Sequence, residues 1–297
     1  MKILITGASG LLGSKLVQAA LSKGYEVFSC YKSNLPKGGT PVKLDISNRN
    51  SVKKVLGSVS PDVIIHSAAI TNVDLCESNR DLAYRVNVLG TKNLINYAKG
   101  GCLFVYISTD YVFDGEKGLY KENDKPNPIN YYGYTKLEGE KLVANSGLDY
   151  LIVRPSVIYG SRPASGKINF ALWLIEKLSK NDEVKLLTDQ YVSPTLNTNL
   201  ANMILEAVEK QLTGIFHMSG GERISRYNFG VKLAEVFGFN SELIREATMS
   251  QMNWVAKRPR DSSLDVSKAS KVLKNKPLKV YEALKILRRE LENAPRD

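Results

Sequence analysis

The chain has 297 residues, 43% of them hydrophobic and 24% charged, with a formal net charge of +11. Such a composition suits a folded domain with a sizeable core and excludes a disordered chain, while no apolar run reaches the ~20 residues of a membrane span. The lysines are spread along the chain instead of bunched with aromatics, so the charge reads as a solvated basic surface that also suits a phosphate-bearing ligand, not as a nucleic-acid footprint.

The first residues, Met-Lys-Ile-Leu-Ile-Thr-Gly, run straight into a strand. They lack the apolar region and cleavage site of a secretory signal, so a cytoplasmic location is expected. The cysteines Cys30, Cys76 and Cys102 and the histidines His66 and His217 have no metal-ligand or redox spacing. No metal site and no disulfide are expected, and each histidine reads as a core or strand-end residue.

Strands and helices alternate from the start. Ile3-Leu4-Ile5 is a buried strand, Leu11 to Leu21 has helical periodicity, and Val27-Phe28 and Val42-Lys43-Leu44 follow as strands. Ser51 to Leu56 reads as a helix, Val63-Ile64-Ile65 as a strand, Leu82 to Ala98 as one long helix, and Leu103 to Ile107 as a fifth strand. Apolar strands separated by helices predict a parallel sheet covered on both faces, and right-handed crossovers make it doubly wound, of Rossmann type. A helix over Thr135 to Ala144 and a strand at Tyr150 to Val153 continue the rhythm.

Beyond Pro155 the alternation loosens. Pro155, Pro163 and Gly166 punctuate a loop, Phe170 to Leu178 is a helix, and Val184 to Leu187 is a short strand. Tyr227 to Phe237 and Leu278 to Leu291 read as helices. The expected organisation is a dinucleotide-binding domain over residues 1–155 and a smaller substrate lobe over 156–297, with a strand near 214–219 returning to the main sheet.

Between the first strand and first helix stand Gly7, Gly10 and Gly13, spaced G-x-x-G-x-x-G. The first glycine permits a tight turn, the second lets backbone approach a pyrophosphate, and the third allows close helix–strand packing over a helix N-terminus that attracts anions. At the end of the second strand a carboxylate would hold the ribose 2′-hydroxyl of NAD. This chain has Ser29-Cys30-Tyr31-Lys32-Ser33, with a base and no acid, so NADPH is favoured over NADH. Lys32 is equally readable as an exposed loop lysine. Asp45 could receive the adenine amino group, with Ile46 against the ring, or could belong to the cap of the next helix. Ser67-Ala68-Ala69 offers small residues where the cofactor crosses the fourth strand end.

Tyr132 and Lys136 are four residues apart, a spacing that puts both on one helix face. A phenol titrates near ~10. An ammonium beside it favours phenolate, which suits Tyr132 as an acid–base group, and Lys136 can also hold the nicotinamide ribose. The end of the fifth strand, Ser108-Thr109-Asp110-Tyr111-Val112-Phe113, supplies a hydroxyl for a substrate carbonyl. Either Ser108 or Thr109 could serve from position alone.

These motifs resemble the extended short-chain dehydrogenases/reductases that act on nucleotide sugars, and most closely the dTDP-4-dehydrorhamnose reductase family. The resemblance runs along nearly the whole chain, through Ser108 to Gly115, Tyr132 to Glu140, Asp189 to Thr195, Arg258-Pro259 and Ser263-Leu264-Asp265. It selects Thr109 over Ser108, implies that Thr109 and Asp110 meet the sugar and that Tyr132 donates the proton, and places Gly10, Leu11 and Leu12, Asp45 and Ile46, and Ala69, Ile70 and Thr71 along the cofactor. Arg258 becomes the candidate for the substrate diphosphate, against a surface ion pair, and Gln190 for a substrate hydrogen bond, against a turn cap.

Two departures bear on specificity. Val157 stands where the family usually has a tryptophan near substrate. Tyr111 stands where sugar-nucleotide dehydratases carry the second acid of Thr-Asp-Glu, which argues against loss of water. The implied reaction is reduction of dTDP-4-dehydrorhamnose to dTDP-rhamnose. A nucleotide-sugar epimerase, and a non-catalytic NADP-binding subunit resembling the regulatory subunit of methionine adenosyltransferase, are the alternatives. The expected partner is a small nucleotide sugar, with neither nucleic acid nor membrane, and a homodimer is left open.

Overall fold

The computed structural model describes residues 1–162 and 168–293. Pro163 and Gly166, read above as loop punctuation, lie outside the described residues. The apolar runs of the first half become strands with no exposed side: Ile3, Leu4, Ile5, Ile64, Ile65, Phe104 and Val105 are fully buried. Strands β1 (Lys2–Thr6), β2 (Glu26–Tyr31), β3 (Thr40–Lys43), β4 (Val63–His66), β5 (Leu103–Ile107), β6 (Tyr150–Arg154) and a later strand at Gly214–His217 form one seven-stranded sheet. Its order is Gly214–His217, β6, β5, β4, β1, β2, β3, and every pairing is parallel. Helices α1 (Gly13–Ser22) and α2 (Arg49–Val59) complete the first crossovers. The order reverses beside β1, which opens a crevice at the carboxyl ends of β1 and β4, where doubly wound sheets bind ligands.

The long helix expected over 82–98 is interrupted. Helices α3 (Val73–Ser78) and α4 (Arg80–Tyr84) precede a π-helical turn at Arg85–Leu89, and α5 (Gly90–Tyr97) follows. Helix α6 (Tyr131–Ala144) starts four residues earlier than the periodicity suggested, because Asn130 caps it by accepting from the Gly133 amide at 2.9 Å. Tyr132 therefore stands in its first turn.

The second half contributes β7 (Ser156–Tyr159), α7 (Phe170–Ser179), β8 (Val184–Leu187), β9 (Tyr191–Val192), β10 (Pro194–Leu196) and α8 (Asn197–Glu209). It continues with β11, the Gly214–His217 strand, then β12 (Ile224–Ser225), α9 (Arg226–Phe237), β13 (Ile244–Ala247), α10 (Ser267–Val272) and α11 (Val280–Glu292). A separate core, including Leu174, Leu186, Phe229, Leu233 and Leu284, gathers α7, β8, α9 and α11 into a lobe over the strand ends. Helix α8 instead lies with α1: Leu200, Met203, Ile204 and Ala207 share the core of Leu16, Val17 and Ala20. No described helix is long and apolar enough to cross a membrane.

Candidate active site

A cavity of about 1130 Å³ runs from the glycine loop to the second lobe. At its start Gly7 has φ +67°, and a Cβ there would stand 2.9 Å from the Ala68 backbone. A Cβ on Gly13 would overlap the Gly7 carbonyl. Only glycine fits either place. Leu12 precedes α1 without a side-chain cap, and Gly7, Gly10, Leu11 and Leu12 line the cavity at that helix's N-terminus. A dinucleotide pyrophosphate fits this cradle on the chain's own geometry.

Where the cavity passes the end of β2, Lys32 Nζ lies 2.7 Å from Asp45 Oδ2. Asp45 Oδ1 also accepts from the amide and hydroxyl of Ser47, at 3.0 and 2.7 Å. Burial works to raise the Asp45 pKa, but Lys32 and Ser47 outweigh it and hold the carboxyl below its usual range. The following helix is capped by Asn48, whose side chain accepts from the Ser51 amide at 3.0 Å, so Asp45 is not that cap. Ile46 is buried, and it lines the cavity together with the half-buried Ala69 and Ile70 and the exposed Thr71.

The Ile70 segment is held by a residue that sequence reasoning passed over. Asn87, in the π-helical turn, accepts from the Ile70 amide at 2.8 Å and donates to the Ile70 carbonyl at 3.1 Å and to Thr135 Oγ1 at 3.0 Å. It is 1% exposed, and its signal in the sequence was a lone amide between Val86 and Val88 on an otherwise apolar face. His66 is a strand-end residue, bonded to Thr6 and Thr91 at 2.8 and 3.0 Å, and burial with the nearby Lys136 charge depresses its pKa to about 3.

Thr109, Tyr132 and Lys136 all line the same cavity. The Thr109 hydroxyl donates to Asp110 Oδ1 at 2.9 Å and accepts from the Tyr111 amide at 3.2 Å. Asp110 Oδ2 accepts from Ser156 and Ser262 at 2.8 and 2.6 Å. Burial raises the Asp110 pKa against these three donors. The carboxylate is thus spent on orienting hydroxyls. Burial also raises the Tyr132 phenol above its ordinary value, with Thr109 opposing. Burial of the phenol thus overturns the lowering by Lys136 expected from sequence, and desolvation lowers the Lys136 pKa itself to about 7, with Glu140 opposing. Ser108 points elsewhere: its hydroxyl donates to Glu140, which also receives Arg154 at 2.6 and 2.9 Å.

The substrate-lobe candidates differ. Arg258 pairs with Asp74 at 3.0 Å, donates to the Ala256 carbonyl at 2.9 Å, and lies 5.4 Å from the Trp254 ring centroid. Gln190 donates to the Pro259 carbonyl at 3.4 Å and accepts from Arg226 Nε at 3.3 Å. Val157 also lines the cavity, with φ +35°, a conformation rare for a β-branched residue.

The family model described as "RmlD substrate binding domain" matches residues 1–292. The chain is 38% identical to the probable low-salt glycan biosynthesis reductase Agl14 of Haloferax volcanii, over 90% of each chain. It is 32% identical to methionine adenosyltransferase 2 subunit beta of Bos taurus, over 90% of this chain and 81% of that one. Among solved structures it matches dTDP-4-dehydrorhamnose reductase from Bacillus anthracis in complex with NADP, with a TM-score of 0.86 and 31% identity, covering 97% and 99% of the two chains.

Proposed function

The chain belongs to the RmlD substrate-binding-domain family, and from that premise we propose that it is an NADPH-dependent reductase for the 4-keto group of a nucleotide-diphosphate deoxysugar. The proposed substrate is dTDP-4-dehydrorhamnose and the product dTDP-rhamnose. The observation that carries this reading is the meeting of Thr109, Tyr132 and Lys136 in the cavity that begins at the glycine loop. The NADP complex of the Bacillus anthracis relative supports the same cofactor here.

When bound, NADPH supplies the hydride. Gly7, Gly10, Leu11 and Leu12 would receive its pyrophosphate over the turn that Gly13 keeps tight, Lys32 its 2′-phosphate, and Asp45 and Ile46 its adenine. Ala69, Ile70 and Thr71 would flank it, while Tyr132 and Lys136 would hold the nicotinamide ribose. Thr109 turns its hydroxyl proton from Asp110 to the keto oxygen and polarises it. Tyr132, kept protonated by burial, gives its proton to that oxygen as negative charge develops there. Until substrate arrives Asp110 holds the Thr109 hydroxyl through the bond at 2.9 Å, and the Tyr111 amide keeps its 3.2 Å bond to the same oxygen once the proton has turned; Gln190 and Arg258 border the sugar-nucleotide end.

Absorbance at the nicotinamide band tests the proposal. Purified protein with dTDP-4-dehydrorhamnose should consume one NADPH for each dTDP-rhamnose formed. Binding of NADPH without its oxidation would instead favour the non-catalytic reading, for which the similarity to methionine adenosyltransferase 2 subunit beta speaks. Sugar interconversion with no net NADPH change would favour an epimerase.

A further inference from the structure

Two arginines line the cavity, Arg226 and Arg258, and their surroundings are unlike. Arg258 is neutralised where it stands by Asp74. Arg226 is the first residue of α9, and among the described residues no carboxylate pairs with it. Its side chain makes a single hydrogen bond there, from Nε to Gln190 Oε1 at 3.3 Å. The guanidinium carbon lies 5.0 Å from the centroid of the Phe170 ring. Gln190 and Phe170 thereby fix the guanidinium plane and leave both terminal nitrogens without a protein acceptor among the described residues.

The nearest acid cannot serve. Asp110 contributes to holding the Arg226 charge, but its oxygens already accept from Thr109, Ser156 and Ser262. Burial works against the Arg226 cation, with Tyr111 and Asp110 opposing. A desolvated, unpaired guanidinium beside a large cavity is costly to keep unless a ligand completes it. The free edge of Arg226 is the two-nitrogen fork that matches carboxylate and phosphate geometry.

We propose that Arg226 is an oxyanion-recognition residue of this pocket, whose two terminal nitrogens bind an oxyanion of the incoming nucleotide sugar. The oxyanion is either the diphosphate or a carboxylate on the sugar ring. The assignment rests on the nucleotide-sugar reading above, and it moves the anion contact from the Asp74-bound Arg258 to a residue with open donors. Lys185, exposed at the cavity wall, adds positive charge on the approach.

Calorimetry on the full chain saturated with NADP⁺ tests it, using dTDP, dTDP-glucose, dTDP-glucuronate and thymidine as probes. Arg226→Met should weaken dTDP roughly 10- to 100-fold, the loss of a charge-assisted bond pair. Thymidine and NADP⁺ should bind as before, which also reports that the variant is folded. Arg226→Lys should recover only part of the loss, because an ammonium lacks the fork. Unchanged dTDP affinity with selective weakening of dTDP-glucuronate would support the same role with the oxyanion on the sugar. Equal affinity of wild type and Arg226→Met for dTDP, dTDP-glucose and dTDP-glucuronate would overturn the assignment. Failure of the wild type to bind any of them would instead overturn the substrate reading beneath it.

Discussion

The Lys136 ammonium sits over the face of Tyr106, 4.1 Å from the ring centroid. A cation over an aromatic face is partly compensated, yet burial still lowers the Lys136 pKa to about 7. The folded protein therefore prefers the neutral amine, whereas the unfolded chain binds the proton up to a pH of ~10.4. Between those values the unfolded state holds more protons, so this residue's contribution to stability rises with pH, and below about 7 its cost is complete. Lys136→Met should accordingly melt higher than wild type at pH 6 and lose most of that advantage by pH 10, while reductase activity disappears. Melting curves across that range check the sign. An advantage that grew with pH would refute it.

Tyr132→Phe removes one oxygen from a buried phenol and leaves the helix intact. The proposed proton transfer predicts a fall in kcat of roughly 10²- to 10⁴-fold with little change in NADPH binding. Stopped-flow oxidation and fluorescence titration of the cofactor separate the two. Full activity in the variant would remove Tyr132 from the reaction.

Lys32 and Asp45 pair across the adenine end at 2.7 Å, with the lysine side chain 64% exposed. An exposed pair of this kind stabilises the fold little. Lys32→Ala should leave the melting temperature nearly unchanged but raise the KM for NADPH by about 10-fold, leaving that for NADH almost alone. The wild-type preference should shrink with added salt. Equal effects on the two cofactors would place the 2′-phosphate elsewhere.

Glu140 and Arg154 form the opposite case, a pair with side chains only 4% and 2% exposed. Arg154 also packs 5.1 Å from the Phe113 centroid and contacts His217 Nε2 at 3.4 Å. Breaking one side of such a pair leaves an uncompensated buried charge, at a cost of ~3–5 kcal/mol. Glu140→Gln should lower the melting temperature by roughly 10 °C. The double variant Glu140→Leu/Arg154→Met should recover part of the loss. Thermal unfolding of the three proteins is the check.

The parallel sheet was legible because its strands are apolar on both faces, and the glycine loop because spacing and position coincide. The Tyr132 and Lys136 pair was legible too, since helical spacing is read directly from the chain. Helix α8 carries a stripe at helical spacing, Leu200, Met203, Ile204 and Ala207, but its buried positions also include Asn197, Asn199 and Glu206, polar residues that read as loop or surface in a sequence. The π-helical turn holds Asn87, whose side-chain bonds reach Ile70 and Thr135, partners 17 and 48 residues away. Arg226 was invisible for a related reason. What distinguishes it is that no carboxylate among the described residues pairs with it in space, and no local pattern records that.

Helix α8 and β11 come late in the chain yet complete the sheet and the packing of α1 that the glycine loop depends on. The second lobe's core is therefore threaded between segments that belong structurally to the first. A fragment ending near residue 155 would lack an edge strand and would bare the apolar face of α1. The 297-residue chain should unfold as a single cooperative unit, and a ligand gripping the glycine loop should protect amides of α8 from hydrogen exchange.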